Sequence, residues 1–492
     1  MVPAVAFAQD DPNTAEQAAA SPPQQLSLSE VLQVSVRQSR VLASATIDVA
    51  IAQATILEAS GVEDWLLTAT GSVLLQRDEP VAGDFIGSNE VDIFRADASI
   101  SKLLSTGATV SLSIEGSRQR RVLAGLPGTN PIEATSYDTG LTASITQPLL
   151  RGRGEKPTRA AQIRARLAKD ATQLARESTA RALIRDIILS YWEVAFAHRG
   201  LDISLASLDL ANERRRLTES RVKLGNAAPT ELTAVDQIIA TREEDVLIAE
   251  LSISERSLDL RRIAGLEIGP SHIDIRSAEI VAAEPRELSI DDVLERAYAN
   301  SPEIAALQAR GKGATLDVEV TENGLLPRLD LTVSAGPIGT AETLRDSFKN
   351  LSEFNGYQVS GNLSLSHSLG NNAAEGAHDR AREELRQIQV DERDLRLQVA
   401  VAVVRAVKLA RSATRRMELS TTAIELSEKN ITAEQRRFEL GRSTNFDVLQ
   451  RQDELKQAQQ RYARAAVDYL RAQALIDELT GDILAKYGIT IE

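Results

Sequence analysis

The stretch Arg221-Val-Lys-Leu-Gly225 returns later in the chain as Arg437-Phe-Glu-Leu-Gly441. Six residues after each glycine stands an acid, Glu231 in the first copy and Asp447 in the second. Glycine adopts the left-handed conformation that ends a helix at the least cost, so each copy predicts the end of one helix and a tight turn into the next.

A second pair of matching stretches lies upstream of the first pair, in the same order. Leu26-Ser-Leu-Ser-Glu-Val-Leu32 matches Leu288-Ser-Ile-Asp-Asp-Val-Leu294. Two independent matches in one order indicate a tandem duplication. We therefore divide the chain into a signal-peptide remnant with a flexible tail at 1–25, a first repeat at 26–286 and a second repeat at 287–492.

Each repeat contains one very long helical segment. From Pro157 to Leu224 the sequence has no further proline and one glycine, Gly200, and a similar segment runs from 374 to 440. At 1.5 Å per residue such a helix reaches about 100 Å. Apolar residues recur in steps of four and three, as in helices packed lengthwise. Shorter helices are predicted at 27–38, 41–61, 289–299 and 302–322.

New helices are predicted to begin just after the two glycines. Pro229 suits the first position of a helix, and Thr444-Asn-Phe-Asp447 has the form of a capping box with Asp in place of Glu. Each repeat is therefore expected to contain an α-helical hairpin with a tight turn at its far end.

Segments that alternate apolar and polar residues lie between the short and the long helices. They are 65–76, 92–104, 108–117 and 138–147 in the first repeat, and 327–335 and 357–369 in the second. So few strands cannot bury both faces against such helices. Strands from several identical chains that close into one barrel leave no free edge, so the pattern favours a barrel that continues into a helical tube.

The composition excludes several classes of protein. Only 3% of the residues are aromatic, and the 43% that are hydrophobic are mostly small aliphatics, as in helices packed side by side. The formal charge of −14 argues against nucleic acid as a partner, because a phosphate backbone requires a cationic surface. The sequence has no cysteine, which excludes disulfides and thiolate metal sites within it.

The first residues resemble the end of a signal peptide. Val2-Pro-Ala-Val-Ala-Phe-Ala8 is apolar and closes with the form of a cleavage site. The sequence has no uncharged apolar run of about 18 residues, the length that a membrane-spanning helix requires. Contact with a bilayer is therefore expected to occur through strands.

Residues typical of catalysis are sparse and scattered. The four histidines, His198, His272, His367 and His378, show no metal-ligand spacing, and Gly152-Arg-Gly154 lacks the third glycine of a phosphate-binding loop. No Gly-x-Ser-x-Gly motif occurs. We therefore expect no catalytic, cofactor-binding or metal-binding residues, and no enzyme activity.

The order and doubling of these motifs resemble the TolC-type outer-membrane efflux family over residues 26–482. The resemblance is carried by the Leu-Ser helix starts, the strand end Thr146-Gln-Pro-Leu-Leu-Arg-Gly152, Tyr191-Trp192 and the paired Leu-Gly turns. It implies a mainly α fold with β, built from two tandem repeats per chain. In a homotrimer, an outer-membrane β-barrel would then continue into a long α-helical periplasmic tunnel.

The resemblance also implies a function and partners. The chain would be the exit duct of a tripartite efflux or type I secretion system in the outer membrane of a Gram-negative bacterium. It would contact outer-membrane lipid, a periplasmic adaptor and an inner-membrane pump of the ABC or RND type. Leu224, Gly225, Leu440 and Gly441 would lie at the periplasmic entrance as turns for adaptor docking.

Four residues near these turns are candidates for a gate. Glu231 and Asp447 match positions where family members often carry acids near the constriction. Under three-fold symmetry each carboxylate forms a ring that attracts cations and resists anions. Alternatively, both are first-turn acids favoured by the helix dipole. Ser443 stands where the family often has an arginine, with Arg442 beside it.

Two features leave alternatives open. The four strand-like segments of the first repeat, where the family pattern uses two, indicate either a barrel larger than the usual twelve strands or an extracellular hairpin. Ser368-Leu-Gly-Asn371 replaces the family's Pro-Leu-Gly-Asn but retains the turn. The rival class is a non-membrane coiled-coil scaffold or a periplasmic adaptor. A scaffold leaves the strands unexplained, and an adaptor requires a lipoyl-like β-sandwich that the sequence does not show.

Overall fold

The computed structural model of the chain describes residues 24–77, 88–123, 132–225, 227–267, 274–279, 281 and 283–490. Residues 1–23 of the expected signal-peptide remnant and flexible tail, 1–25, lie outside the described residues, as does His272. The chain forms two compact units. The helical unit consists of the described residues within 1–47, 174–304 and 393–492, and the sheet unit of those within 48–173 and 305–392.

The described elements repeat one order: a short helix, a second helix, strands, a very long helix and a returning helix. The first repeat has β1 (Gln24–Leu26), α1 (Leu28–Gln38), α2 (Arg40–Ser60), a 3-10 turn (Gly61–Glu63), β2 (Leu66–Arg77), β3 (Ser88–Leu103), β4 (Thr109–Leu123), β5 (Ile132–Pro148), α3 (Glu155–Lys223), α4 (Pro229–Ala264) and β6 (Ile275–Ser277). The second has α5 (Ile290–Asn300), α6 (Pro302–Gly324), β7 (Arg328–Ala341), α7 (Leu344–Ser352), β8 (Gly356–Ser366), α8 (Asn372–Glu439), α9 (Asn445–Thr480) and α10 (Asp482–Lys486).

The sequence prediction missed β1, β6, α7 and α10, which are all short. Gln24 and Gln25, assigned by sequence to the flexible tail, belong to β1, which pairs in parallel with β6. Three-residue strands carry too little periodicity to be recognised from sequence alone.

Tyr191, in the middle of α3, holds this strand pair against the core of the helical unit. Its side chain is fully buried. Its hydroxyl lies 3.0 Å from the Leu26 carbonyl oxygen, accepts a hydrogen bond from the Ala278 N–H at 3.2 Å and contacts the Glu279 carboxylate. A buried polar group requires such partners, which explains why a tyrosine stands here and not a phenylalanine.

The sheet unit contains one antiparallel sheet, with six strands in the described residues in the order β2-β3-β4-β5-β7-β8. All four strand-like segments of the first repeat are therefore strands of the same sheet. The β3–β4 turn closes with a hydrogen bond from the Leu104 N–H to the Ala108 carbonyl at 2.7 Å. At this turn, the Thr106 carbonyl accepts from the N–H of Gly154, just before α3, at 3.0 Å.

The two faces of this sheet differ in chemistry. Neighbouring side chains of a strand point to opposite faces, so the register collects aliphatic residues from all six strands on one side, the apolar face. The apolar face carries Leu67, Val73, Ala98, Ile100, Leu112, Ile114, Ala143, Ile145, Leu331, Val333, Val359 and Leu363. This alternation is the pattern of membrane-spanning strands.

The opposite side, the polar face, carries hydroxyl groups that meet across neighbouring strands. The side-chain oxygens of Ser111 and Ser144 lie 2.7 Å apart, those of Thr146 and Thr332 3.0 Å, and those of Ser334 and Ser360 2.6 Å. Because each hydroxyl both donates and accepts, these pairs satisfy one another without a charged residue.

Gly336 lies where the backbone of β7 closely approaches that of β5. The pairing of β7 with β5 is interrupted at Gly336 and Pro337, because proline has no backbone N–H to donate. A Cβ on Gly336 would lie 1.8 Å from the Leu141 carbonyl oxygen. Glycine is therefore required here by the neighbouring backbone.

Among the described residues, one helical segment is long and apolar enough to cross a membrane, judged by length and composition alone. It is Arg40–Glu63, with a mean hydropathy of 1.4. Asp48 interrupts it, which is why the sequence contains no uncharged run of that length. The most apolar part of the segment is only 6% buried, so the folded protomer leaves its surface largely uncovered.

Candidate functional site: the hairpin turns

The first hairpin turn lies between α3 and α4, and the structure describes its residues 224, 225, 227 and 228. Gly225 has a φ of 75°, and its N–H donates to the Val222 carbonyl at 3.0 Å, which closes the end of α3. Leu224 is 74% exposed. Pro229 is the first residue of α4 and follows Ala228, which offers no side-chain cap. The predicted glycine turn and proline start are confirmed.

The second hairpin turn, residues 440–444, joins α8 to α9 with a fuller set of bonds. Gly441, at a φ of 70°, donates to the Phe438 carbonyl at 3.0 Å, and Arg442 N–H donates to the Arg437 carbonyl at 2.8 Å. These two bonds form a Schellman motif, which satisfies carbonyls that the helix end leaves free. Leu440 is 71% exposed, so a bare leucine lies on both turns.

Asp447 holds the start of α9. Its Oδ2 accepts from the Thr444 N–H at 3.0 Å, the Thr444 hydroxyl at 2.7 Å and the Ser443 hydroxyl at 3.3 Å. The Asp447 N–H donates to the Thr444 Oγ1 at 3.3 Å, which completes the capping box that the sequence predicts.

The hydrogen bonds from Thr444 hold the pKa of Asp447 below its usual value, with smaller contributions from Ser443 and Arg451. A lowered pKa in the folded state means that this stabilisation is present above the unfolded-state pKa. It is lost as the pH falls through the folded-state value. At neutral pH, Asp447 is therefore a charged group that also caps α9.

Glu231 is tied to the opposite hairpin through Asn445, the first residue of α9. The Asn445 Nδ2 donates to Glu231 Oε2 and to Thr218 Oγ1, both at 3.1 Å. Asn445 is 6% exposed, and its Oδ1 has no hydrogen-bond partner in the described part of the chain. One buried amide therefore links α3, α4 and α9 beside both predicted gate acids.

Arg442 is exposed, and its side chain has no hydrogen-bond or ion-pair partner among the described residues. Phe438, one turn earlier, lies between two arginines of α3. The guanidinium carbons of Arg214 and Arg221 lie 4.8 and 4.4 Å from the centre of its ring. Burial lowers the pKa of Arg214, which is 6% exposed.

A cluster of ion pairs further along joins α4 to α9. Arg242 lies 3.2 Å from Asp245 and contacts Asp453, and Lys456 lies 2.6 Å from Asp245. The side chains of Arg242 and Lys456 are each 12% exposed. Burial acts to raise the pKa of Asp245, but the hydrogen bonds and charges of Lys456 and Arg242 outweigh it and hold the pKa below its usual value.

Sequence reasoning named Glu231, Asp447, Arg442 and Ser443 but missed the residues that connect them. Asn445 was noted only as part of a capping box, and Arg242 and Asp453 lie on different helices with no shared motif. Their contacts depend on how the two hairpins pack. No spacing in a single stretch of sequence encodes that packing.

The chain also matches known proteins. The family model for outer membrane efflux proteins matches it twice, over residues 108–266 and 293–482. The pyoverdine export outer membrane protein OpmQ of Pseudomonas putida is 24% identical over 385 residues, which cover 76% of this chain and 77% of OpmQ. The outer membrane protein TolC of Vibrio cholerae is 23% identical over 324 residues, 62% of this chain and 69% of TolC.

Solved structures share the fold. The outer membrane protein VceC of Vibrio cholerae has a TM-score of 0.65 at 16% identity, and the match covers 92% of this chain and 96% of VceC. The open-state MtrE outer membrane channel of Neisseria gonorrhoeae has a TM-score of 0.63 at 16% identity, with 93% of this chain and 89% of MtrE covered. The two family matches fall one in each repeat and together span more than half of the sequence, so the chain belongs to the outer membrane efflux protein family.

Proposed function

We propose that three copies of this chain form the outer-membrane exit duct of a tripartite efflux or type I secretion system. In this proposal the sheets close a barrel in the outer membrane, and the long helices form a tunnel through the periplasm. The hairpin turns meet a periplasmic adaptor that is bound to an inner-membrane pump of the ABC or RND type. Substrates then pass from the pump to the exterior in one passage.

The observation that carries this proposal is the bare apolar face of the sheet. Leu67 is 73% exposed, Leu363 62% and Val333 42%. A contiguous apolar face of this kind on a soluble protein would promote aggregation, whereas lipid acyl chains cover it at no such cost. A coiled-coil scaffold or a periplasmic adaptor has no use for such a face.

Cell fractionation and electrophoresis test the assembly. We expect the chain in the outer-membrane fraction as a trimer that survives mild detergent and dissociates on heating. Barrels resist detergent because every strand is paired within the closed wall. Recovery of the chain as a soluble monomer would reject the duct.

We assign adaptor docking to the two turns, at Leu224-Gly225 and Leu440-Gly441. Both leucines are more than 70% exposed in the protomer, and each precedes a glycine that closes its helix with a backbone hydrogen bond. A leucine held at a closed helix end has less conformational entropy to lose when a partner buries it. The two turns together offer six leucines per trimer to an adaptor ring.

We assign the gate to Glu231 and Asp447, with Arg442 and Ser443 beside them. Both acids lie in the first turn of a helix that follows a hairpin turn. Three-fold symmetry would turn each into a ring of carboxylates at the entrance. The capping role of Asp447 is compatible with this, because the hydrogen bonds described for its carboxylate converge on Oδ2.

Removing both charges should weaken cation selectivity. We expect Glu231→Gln with Asp447→Asn to lower the cation-to-anion permeability ratio at least about twofold, because each ring loses three charges in a narrow pore. Reversal potentials in planar bilayers under a salt gradient measure this ratio. The amides keep the size of each side chain, so the helix starts should remain folded.

Glu255→Gln provides the control for the gate. Glu255 is an exposed acid further along α4, and its removal should leave the ratio unchanged. An unchanged ratio in the double variant would reduce Glu231 and Asp447 to ordinary helix-start acids.

A further inference from the structure

The six-stranded sheet ends in two free edges. β2 and β8 are the outermost strands in the sheet order. Every residue of β2 is exposed, and β8 is exposed along nearly its whole length. Unpaired backbone N–H and C=O groups are strongly unfavourable in hydrocarbon, so both edges require a strand partner in the membrane.

We propose that β2 of each protomer pairs with β8 of the next, so that the trimer closes a barrel of 18 strands. The proposal rests on the homotrimer proposed above and departs from the twelve strands usual in the family. β2 leads away from α2 and β8 leads into α8, so the new pair is antiparallel and continues the alternation of the sheet.

The sheet has two strands more than the usual pattern, and its inner strands β3 and β4 are built as wall strands. Each is paired along its length with a neighbour on both sides. Ala98 and Ile100 of β3 and Leu112 and Ile114 of β4 extend the apolar face. A hairpin outside the wall would not need this lipid-facing pattern.

The position of the β3–β4 turn also excludes an extracellular hairpin. Thr106 in this turn accepts a hydrogen bond from Gly154, which immediately precedes α3. The turn therefore lies at the helical end of the sheet unit. β3 and β4 run the full height of the sheet between this turn and its opposite end.

The register of closure follows from the strand ends. Leu66, the first residue of β2, and Ser366, the last of β8, both lie at the helical end of the sheet. Aligning them pairs Thr70 with Asn362 and puts both side chains on the polar face. Strand closure therefore preserves the separation of apolar and polar faces.

This register produces a physically reasonable barrel. Within one protomer, the paired residues across the sheet lead from Thr70 on β2 to Gly356 on β8. Gly356 is six residues from Asn362, which Thr70 faces in the neighbouring protomer. This offset of six residues, repeated in three protomers, tilts the strands by about 35° from the barrel axis, within the range for outer-membrane barrels. A register shifted by two residues, which pairs Thr70 with Ser364, gives a strand tilt of about 43°.

The proposal predicts a wider exit. At a strand spacing of about 4.8 Å, the backbone radius is about 17 Å for 18 strands and about 12 Å for twelve. When about 5 Å is subtracted from each radius for the side chains, the open cross-section of the 18-stranded barrel is about three times that of the twelve-stranded barrel. The lining is rich in the hydroxyls of the polar face, so the barrel suits bulky hydrophilic cargo.

Cysteine cross-linking tests the closure directly, because the natural sequence has no cysteine. The cysteine-free parent is first checked for the heat-dissociated outer-membrane trimer, whose absence would reject the proposed function and the closure with it. Thr70→Cys is then combined with Asn362→Cys or with Ser364→Cys, and membranes are oxidised. We expect covalent dimers and trimers from one of these pairs, since facing Cβ atoms lie within disulfide range.

Ser113→Cys with Asn362→Cys is the matched alternative. If β2 and β3 stood outside a twelve-stranded wall, β4 would form the edge. Aligning its first residue, Thr109, with Ser366 would then pair Ser113 with Asn362. Cross-links through Ser113, or none through Thr70 in an intact trimer, would overturn the 18-stranded barrel. Cryo-electron microscopy of the cysteine-free trimer gives an independent result: a barrel radius near 17 Å supports closure and one near 12 Å contradicts it.

Discussion

Replacing both exposed turn leucines, with Leu224→Asn and Leu440→Asn together, is expected to disconnect the duct from its adaptor. Burying a leucine side chain contributes about 1.5–3 kcal/mol, so the loss of two per protomer weakens binding by about 100-fold or more. Asparagine is close in size to leucine and is tolerated at helix ends, so the turns should keep their shape. Co-purification of the adaptor measures the loss, and cells should become as sensitive to exported toxic compounds as cells that lack the duct.

Leu369→Asn is the matched control for this experiment. Leu369 is 97% exposed and also precedes a glycine with positive φ, Gly370, but it lies between β8 and α8 and not at a hairpin turn. This variant should retain its adaptor. If the double variant still captures adaptor as a normal trimer, the turns are not the docking surface.

Replacing Gly336 by alanine is expected to prevent assembly in the outer membrane. The added Cβ would lie 1.8 Å from the Leu141 carbonyl oxygen and 2.8 Å from its carbonyl carbon, both backbone atoms of a central strand. Relief requires β5 and β7 to separate, at a cost of about 3 kcal/mol or more. The heat-dissociated trimer in isolated outer membranes should fall to a small fraction of the normal amount, and its midpoint in urea should drop.

Gly116→Ala is the control for this substitution. Gly116 lies in β4 of the same sheet, and a Cβ there meets nothing within 4 Å. Normal trimer from Gly116→Ala and little from Gly336→Ala would attribute the defect to the close approach of two strands. Equal trimer from both variants would contradict the strain at Gly336.

Much of the fold could be read from local pattern. The bounds predicted for the long helices, 157–224 and 374–440, differ by only one or two residues from those of α3 and α8. Both glycine turns and the capping box at Thr444 also lie where the sequence predicts them. Such features depend on neighbours a few residues away, so local sequence contains their full cause.

The function of the family was also accessible from sequence, because a duplicated hairpin beside alternating strands is an unusual combination. The order and doubling of these motifs resemble the outer-membrane efflux family, that resemblance implied an exit duct, and the family matches in both repeats agree with it. The roles of Glu231, Asp447, Arg442 and Ser443 at the entrance remain predictions, and the reversal-potential experiment tests those of the two acids.

The contacts between distant segments could not be read in this way. Asn445 donates hydrogen bonds to Thr218 and Glu231. Arg242 contacts Asp453. Gly336 must lack a side chain because the Leu141 backbone occupies that space. In each case the partner lies on a different element. The choice of residue makes sense only after the elements have packed.

The sequence by itself determined the duplication, the long helices, the two turns and the alternation of the strands, because each of these is written in short-range periodicity. The tertiary structure decided that all four strand segments of the first repeat join one six-stranded sheet, where sequence left an enlarged barrel and an extracellular hairpin equally open. It also decided which buried amide and ion pairs connect the hairpins. Strand pairing and helix packing are non-local, and their energies depend on register and on close approach between segments far apart in the chain.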